Sequence, residues 1–119
     1  MSKKNTVIFS NKTNVKPLSV NEAWQGRRFK SKKYASYEKF MLSALPDTEV
    51  SWADIKIELT LYVGFSNVAS DLDNAVKPLV DILQKKYKFN DKNIYRLVVE
   101  KQIVKKGEEF IEFEIRKVF

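Results

Sequence analysis

The segment Ser70-Asp71-Leu72-Asp73-Asn74-Ala75-Val76-Lys77-Pro78 sets two carboxylates, a carboxamide and a lysine side by side, and a third carboxylate, Asp91, follows in the polar turn Lys88-Phe89-Asn90-Asp91-Lys92. A hard divalent cation such as Mg2+ takes oxygen ligands, keeps several of its waters and is usually held by a few carboxylates together with substrate phosphate. The chain has no histidine and no cysteine. That removes the usual zinc ligands, the usual general base, a serine-histidine triad and any disulfide. Carboxylates, lysines and metal-bound water remain as the groups able to carry demanding chemistry.

The partner suggested by charge is a polyanion. The net charge of +7 is unevenly placed: residues 1–39 carry ten basic side chains against Glu22 and Glu38, a local balance of +8, and the rest of the chain is close to neutral at −1. A basic half of this density can be a solvated surface that aids solubility, but it also has the electrostatic footprint of nucleic-acid binding. Its densest part holds Arg27, Arg28, Lys30, Lys32 and Lys33 around Trp24 and Phe29. This mixture suits phosphate neutralisation and stacking on unpaired bases, while Trp24 or Phe29 can equally pin the loop to the core.

The elements that must position these residues follow from hydrophobic spacing. Thr6-Val7-Ile8-Phe9 reads as a short first strand, and the basic stretch from Asn11 to Lys33, broken by Pro17 and Gly26, is too poor in apolar residues to add much core. From Ser31 to Leu45, Tyr34, Tyr37, Met41 and Ala44 recur at spacings of three and four, one face of an amphipathic helix that Pro46 ends. Ile55 to Val63 alternates without interruption and predicts a half-buried strand. A second helix is expected from Ser70 to about Lys86, with Leu72, Val76, Leu79 and Leu83 as its inner stripe and a loosened turn at Pro78. Two strands, about Tyr95 to Val104 and Phe110 to Val118, flank Lys105-Lys106-Gly107-Glu108 and are expected to form an antiparallel hairpin. The 119 residues fit one domain, 1–119, of α+β class. The expected architecture is a two-layer sandwich: two helices on a mainly antiparallel sheet of three to four strands, in the order β-α-β-α-β-β. No run long enough to span a bilayer and no signal-peptide pattern is present, so a cytoplasmic protein is expected.

On this frame the acidic segment has two readings. Ser70 followed by Asp73 approximates a capping box, and acids are favoured in the first turn of any helix. Asp73, Lys77 and Asp81, however, fall at i, i+4 and i+8 on the face opposite the apolar stripe. Lys77 there can be a surface ion-pair partner of Asp73, or it can stand beside a metal-bound phosphate. Asp91 returns near this helix if the strand that follows runs back along it.

Asp71-Leu72-Asp73-Asn74 with Lys77, Asp81 and Leu83, then Asn90-Asp91 and Ile94, resembles the signature of RusA-type Holliday junction resolvases, small enzymes common in prophages and phages. Upstream, Pro17-Leu18-Ser19-Val20-Asn21 resembles the family's proline-serine-asparagine segment, and Tyr37 matches a tyrosine on its first helix. The resemblance spans roughly Lys16 to Ile115. It implies that Asp71, Asp73 and Asp91 bind Mg2+, with Mn2+ as a substitute, and that Lys77 is the essential lysine. The family often has two adjacent acids where this chain has Asn90-Asp91, and the role is assigned to Asp91.

The resulting expectation is a Mg2+-dependent endonuclease of DNA recombination and repair that resolves four-way junctions by paired symmetric nicks. It would act as a homodimer on branched DNA, with Arg27, Arg28, Lys30, Lys32 and Lys33 on the backbones of the arms. Two alternatives stand beside it: a DNA- or RNA-binding module without catalysis, and a nuclease acting on flaps or forks.

Overall fold

The computed structural model describes residues 8–18, 24–25, 29–48, 52 and 55–118. Six strands and two helices follow one another as β1 (Ile8–Thr13), β2 (Trp24–Gln25), β3 (Phe29–Lys30), α1 (Lys32–Ala44), β4 (Ile57–Phe65), α2 (Leu72–Tyr87), β5 (Ile94–Ile103) and β6 (Phe110–Lys117), with a 3-10 turn at Asp91–Asn93 before β5. β2 and β3 form a two-residue ladder of their own inside the basic stretch. The other strands make one mixed sheet in the order β1-β6-β4-β5, on which both helices pack. This is the expected α+β architecture and element order. Among the described residues no helix is long and apolar enough to cross a membrane.

Alternation in β4 and β6 builds the core. Ile57, Leu59, Leu61 and Val63 are fully buried, and they face Ile111, Phe113 and Ile115 across the antiparallel ladder that pairs Leu59 with Ile115 and Leu61 with Phe113. Over this apolar face lie Tyr34, Tyr37 and Met41 of α1 and Leu79, Ile82, Leu83 and Tyr87 of α2. Burying each such side chain contributes on the order of 1.5–3 kcal/mol before the entropy of ordering it is subtracted. Ser31 caps α1, its Oγ accepting from Tyr34 N at 3.1 Å. The C-terminal end of α2 is tied to the end of α1 by Tyr87 Oη, which donates to Pro46 O at 2.7 Å, and by Lys86 Nζ, which pairs with Asp47 at 2.9 Å.

The opposite face of the sheet carries Lys12, Glu58, Arg96, Glu100, Glu112, Glu114 and Arg116 among neutral residues such as Thr60 and Tyr62. Phe110 folds across it and is buried on Gly64, where a Cβ would lie 2.3 Å from the ring; Lys12 Nζ covers the ring at 4.3 Å. Gly64 is therefore required by close approach and not by backbone conformation.

The expected terminal hairpin does not form. β5 and β6 are separated by β4, which pairs with β5 in parallel and with β6 in antiparallel. The apolar content of the two strands explains the order. Ile111, Phe113 and Ile115 bury completely and draw β6 to the centre, whereas β5 offers Leu97, Val99, Lys101 and Ile103 on the same face, none of them fully buried, and takes the edge. Strand β4, helix α2 and strand β5 thus form a βαβ unit, the usual way to connect parallel neighbours. Smaller differences concern ends: the first strand runs to Thr13, with Thr6 and Val7 outside the described residues, and Asp71, not Ser70, is the N-cap of α2.

Candidate active site

α2 leaves the C-terminal end of β4 through the loop 66–71, and this loop is built to hold one shape. Asn67 Oδ1 accepts from Ala69 N at 2.8 Å, and Ser70 N donates to Asn67 O at 3.0 Å. Lys101 reaches from the end of β5 and donates from Nζ to the carbonyls of Val68 at 2.8 Å and Ser70 at 2.5 Å. Asp71 then starts the helix in extended conformation, Oδ1 accepting from Asp73 N at 3.2 Å and Oδ2 from the Asn74 side-chain amide at 3.3 Å. Both of its carboxylate oxygens are thus engaged within the first turn. Asp73, one residue into the helix, is exposed and complements the positive end of the macrodipole.

Because β5 runs parallel to β4, the 3-10 turn that precedes it lies beside the body of α2. The turn is pinned by Asn93, nine-tenths buried, whose Oδ1 accepts from Asn90 N at 2.8 Å and whose own N–H reaches Asn90 O at 2.9 Å. Asp91 opens that turn. A surface cleft of about 480 Å³ results, lined by Asp73, Asn74, Val76, Lys77 and Val80 of α2, by Asp91, and by Ile94 and Leu97 of β5. Asp73 and Asp91, eighteen positions apart in the chain, therefore share one cavity with Lys77. Asp71 stands at the helix end next to it and does not line it.

Lys77 pairs forward with Asp81, Nζ to Oδ1 3.0 Å, and not back with Asp73. The hydrogen bond to Asp81 and that carboxylate's charge, with a smaller contribution from Asp91, hold the lysine pKa above its ordinary value, so it stays cationic at neutral pH. Pro78 sits inside α2 without interrupting it. Having no N–H, it leaves the carbonyl of Asn74, in the cleft wall, without its intrahelical donor.

The donor set is uniformly hard: carboxylates, a carboxamide and a backbone carbonyl, as Mg2+ or Mn2+ prefers. Among the described residues no three His, Cys, Asp or Glu side chains converge closely enough to hold a metal by themselves. Two carboxylates on one cleft nevertheless fit Mg2+, which is commonly bound through one or two protein carboxylates with phosphate oxygens and water completing the shell.

The basic residues divide. Arg27 and Arg28 lie outside the described residues, as do Ser19, Val20 and Asn21 and the side chains of Trp24, Phe29 and Lys30. Lys32 and Lys33 are exposed in the first turn of α1, and with Lys16, Pro17, Leu18, Ser36 and Tyr37 they line a separate cavity of about 390 Å³. Two lysines and no acid at the positive end of a helix are electrostatically unfavourable by themselves. The penalty is relieved when an anion binds there. Lys16 belongs to this cavity and Lys101 to the loop before Asp71; neither stands out in the sequence, because each acts through segments distant in the chain.

Compared with known families, the chain matches over residues 10–116 the family described as endodeoxyribonuclease RusA. No curated protein matches it.

Proposed function

Because the chain belongs to the RusA endodeoxyribonuclease family, we propose that it is a Mg2+-dependent, structure-selective endonuclease that resolves four-way DNA junctions by paired nicks in recombination and repair. The observation that carries this reading is the single cleft where Asp73, Asp91 and Lys77 meet. Asp73 and Asp91 would hold Mg2+ (or Mn2+), with Asp71 reaching in from the helix end once its cap bonds are exchanged. A bound Mg2+ supplies a water of lowered pKa and neutralises charge on phosphate.

The chain's own residues do the rest. Lys77, kept charged by Asp81, stabilises negative charge that builds on the scissile phosphate. Val76, Val80, Ile94 and Leu97 form the apolar floor against which a sugar can rest and from which water is displaced. Lys16, Lys32 and Lys33, with Arg27, Arg28 and Lys30, bind backbone phosphates of the arms, contacts that carry affinity more than sequence choice. Paired nicks require two sites related by symmetry, so the working form is a homodimer.

Incubation of the purified protein with labelled four-way junction, fork, flap and duplex DNA, in Mg2+ or in EDTA, tests the proposal. Symmetric nicking of the junction that EDTA abolishes is the expected result. Cutting confined to flaps or forks changes the substrate, and tight binding without cutting in Mg2+ or Mn2+ sinks the catalytic reading in favour of a binding module, for which Asp71 would be a cap alone.

A further inference from the structure

β5 is ten residues long and lies at the edge of the sheet, and among the described residues no strand pairs with its outer side. Such an edge is a template for another strand, and proteins usually blunt it with outward charges, proline or short length. β5 has no proline. It exposes Tyr95, Leu97 and Ile103 by 63, 46 and 50%. Lys101 is turned onto the carbonyls of Val68 and Ser70, and the remaining ionic side chains, Arg96 and Glu100, are of opposite sign, with Arg96 3.4 Å from Glu58 of the neighbouring strand.

We propose that the outer edge of β5 pairs antiparallel with β5 of a second copy about a twofold axis at Val98, joining two four-stranded sheets into one. The occupant and the register both follow from charge. Antiparallel pairing of two identical strands places the axis perpendicular to the sheet, so directly opposed residues point to the same face and must be separated by an even number of positions. The ionic side chains of β5 are Arg96, Glu100 and Lys101. Among even registers, centring on Arg96, Glu100 or Lys101 opposes like charges. Centring on Leu97 or Val99 sets charges against neutral residues. Centring on Val98 opposes Arg96 to the partner's Glu100 twice, and brings Leu97 against the partner's Val99. Opposite-charge and apolar cross-strand pairs each stabilise an antiparallel ladder, and like charges directly opposed destabilise it. The Val98 register also uses nearly the whole strand.

This interface rests on the dimer reading above and adds a consequence for it. Leu97 lines the cleft that holds Asp73 and Asp91 and points to the helix side of the sheet, where its neighbour Leu59 is buried. A perpendicular axis leaves both clefts on one face of the joined sheet, flanking the axis, with Val99 of the partner subunit at the rim of each. Two sites related by a twofold axis are what paired symmetric nicks require.

The chain lacks cysteine, so single cysteines report position without background. In the Val98 register the two Cα atoms of residue 98 lie about 4.5–5.5 Å apart, within disulfide reach, whereas those of residue 102 are about 27 Å apart. Sedimentation equilibrium of the wild type is expected to give a dimer. Mild oxidation should convert most of Val98→Cys to covalent dimer and leave Gln102→Cys uncrosslinked. Glu100→Arg should weaken the dimer at least tenfold, and adding Arg96→Glu should recover most of the loss. A monomer throughout the micromolar range overturns both the interface and the dimer reading. A dimer that does not crosslink through residue 98, or that tolerates Glu100→Arg, overturns this interface alone. None of these measurements depends on cleavage, so the nuclease reading stands or falls separately.

Discussion

The ammonium of Lys101 lies 2.5 Å from the carbonyl oxygen of Ser70, the residue immediately before Asp71. The contact fastens the far end of β5 to the loop that launches α2, so the two elements that supply the walls of the cleft are joined at both ends: at the 3-10 turn by the chain itself and here by a side chain. Lys101→Met is expected to raise amide exchange over residues 68–71 and to slow single-turnover cleavage about tenfold or more, with junction affinity little changed. Lys101→Arg, which restores donors, should recover part of the rate. Unaltered exchange in Lys101→Met would show that the loop holds its shape without the clamp.

Asp73→Asn and Asp91→Asn are expected to abolish cleavage while junction binding is retained or tightened, since each deletes a hard anionic ligand facing a polyanion at constant volume. Asp71→Asn separates two roles that the sequence superimposes. Asparagine caps a helix as well as aspartate, so thermal stability should be unchanged. Loss of cutting by this variant then reports a ligand role, and normal cutting reports a cap.

Lys77 pairs with Asp81 at an exposed position, where such pairs contribute about 0.2–1 kcal/mol. Lys77→Ala should therefore shift stability by under about 1 kcal/mol, and a lysine held against the scissile phosphate should cost roughly a hundredfold or more in rate. Asp81→Asn removes the same ion pair and leaves the lysine. If Asp81→Asn and Lys77→Ala slow single-turnover cleavage equally, the ion pair and not the cation is what matters.

Gly64→Ala is expected to destabilise by about 1–3 kcal/mol, because the added methyl must displace the Phe110 ring. Urea melts of Gly64→Ala and of Gly64→Ala with Phe110→Leu test this, the smaller side chain relieving the overlap. A single variant as stable as wild type would mean that Phe110 moves aside freely.

Burial, with smaller contributions from Asp81 and Glu38, raises the Tyr34 pKa to about 12 from its ordinary 10, and burial likewise raises those of Tyr37 and Tyr87. Above pH 10 the unfolded chain releases these protons while the folded chain retains them, so stability falls as pH rises from about 10 to about 12. Melting temperature against pH, with tyrosinate absorbance followed in parallel, should place most ionisation with unfolding. Tyrosinate absorbance reaching completion near pH 10, with the fold intact, would refute it.

The sequence by itself determined the elements and the chemistry available. Alternation of Ile57, Leu59, Leu61 and Val63 and the helical spacing of Tyr34, Tyr37 and Met41 are local patterns, imposed by the geometry of strand and helix, and they are legible without any tertiary contact. The absence of His and Cys, and the spacing of Asp71, Asp73 and Lys77, likewise limited the possible chemistry to hard oxygen ligands and a cation. Tertiary structure decided what the strands do with each other. β5 and β6 look like a hairpin because they are adjacent in sequence and joined by a Gly-containing turn. Their order was settled instead by which strand had more apolar surface to bury, a competition across the whole sheet. The same decision created the cleft: with β5 parallel to β4, the turn bearing Asp91 returns alongside α2, and Asp73, Lys77 and Asp91 face one cavity. Which acid would pair with Lys77, and which would cap the helix, depended on differences of a few ångströms that residue spacing does not encode.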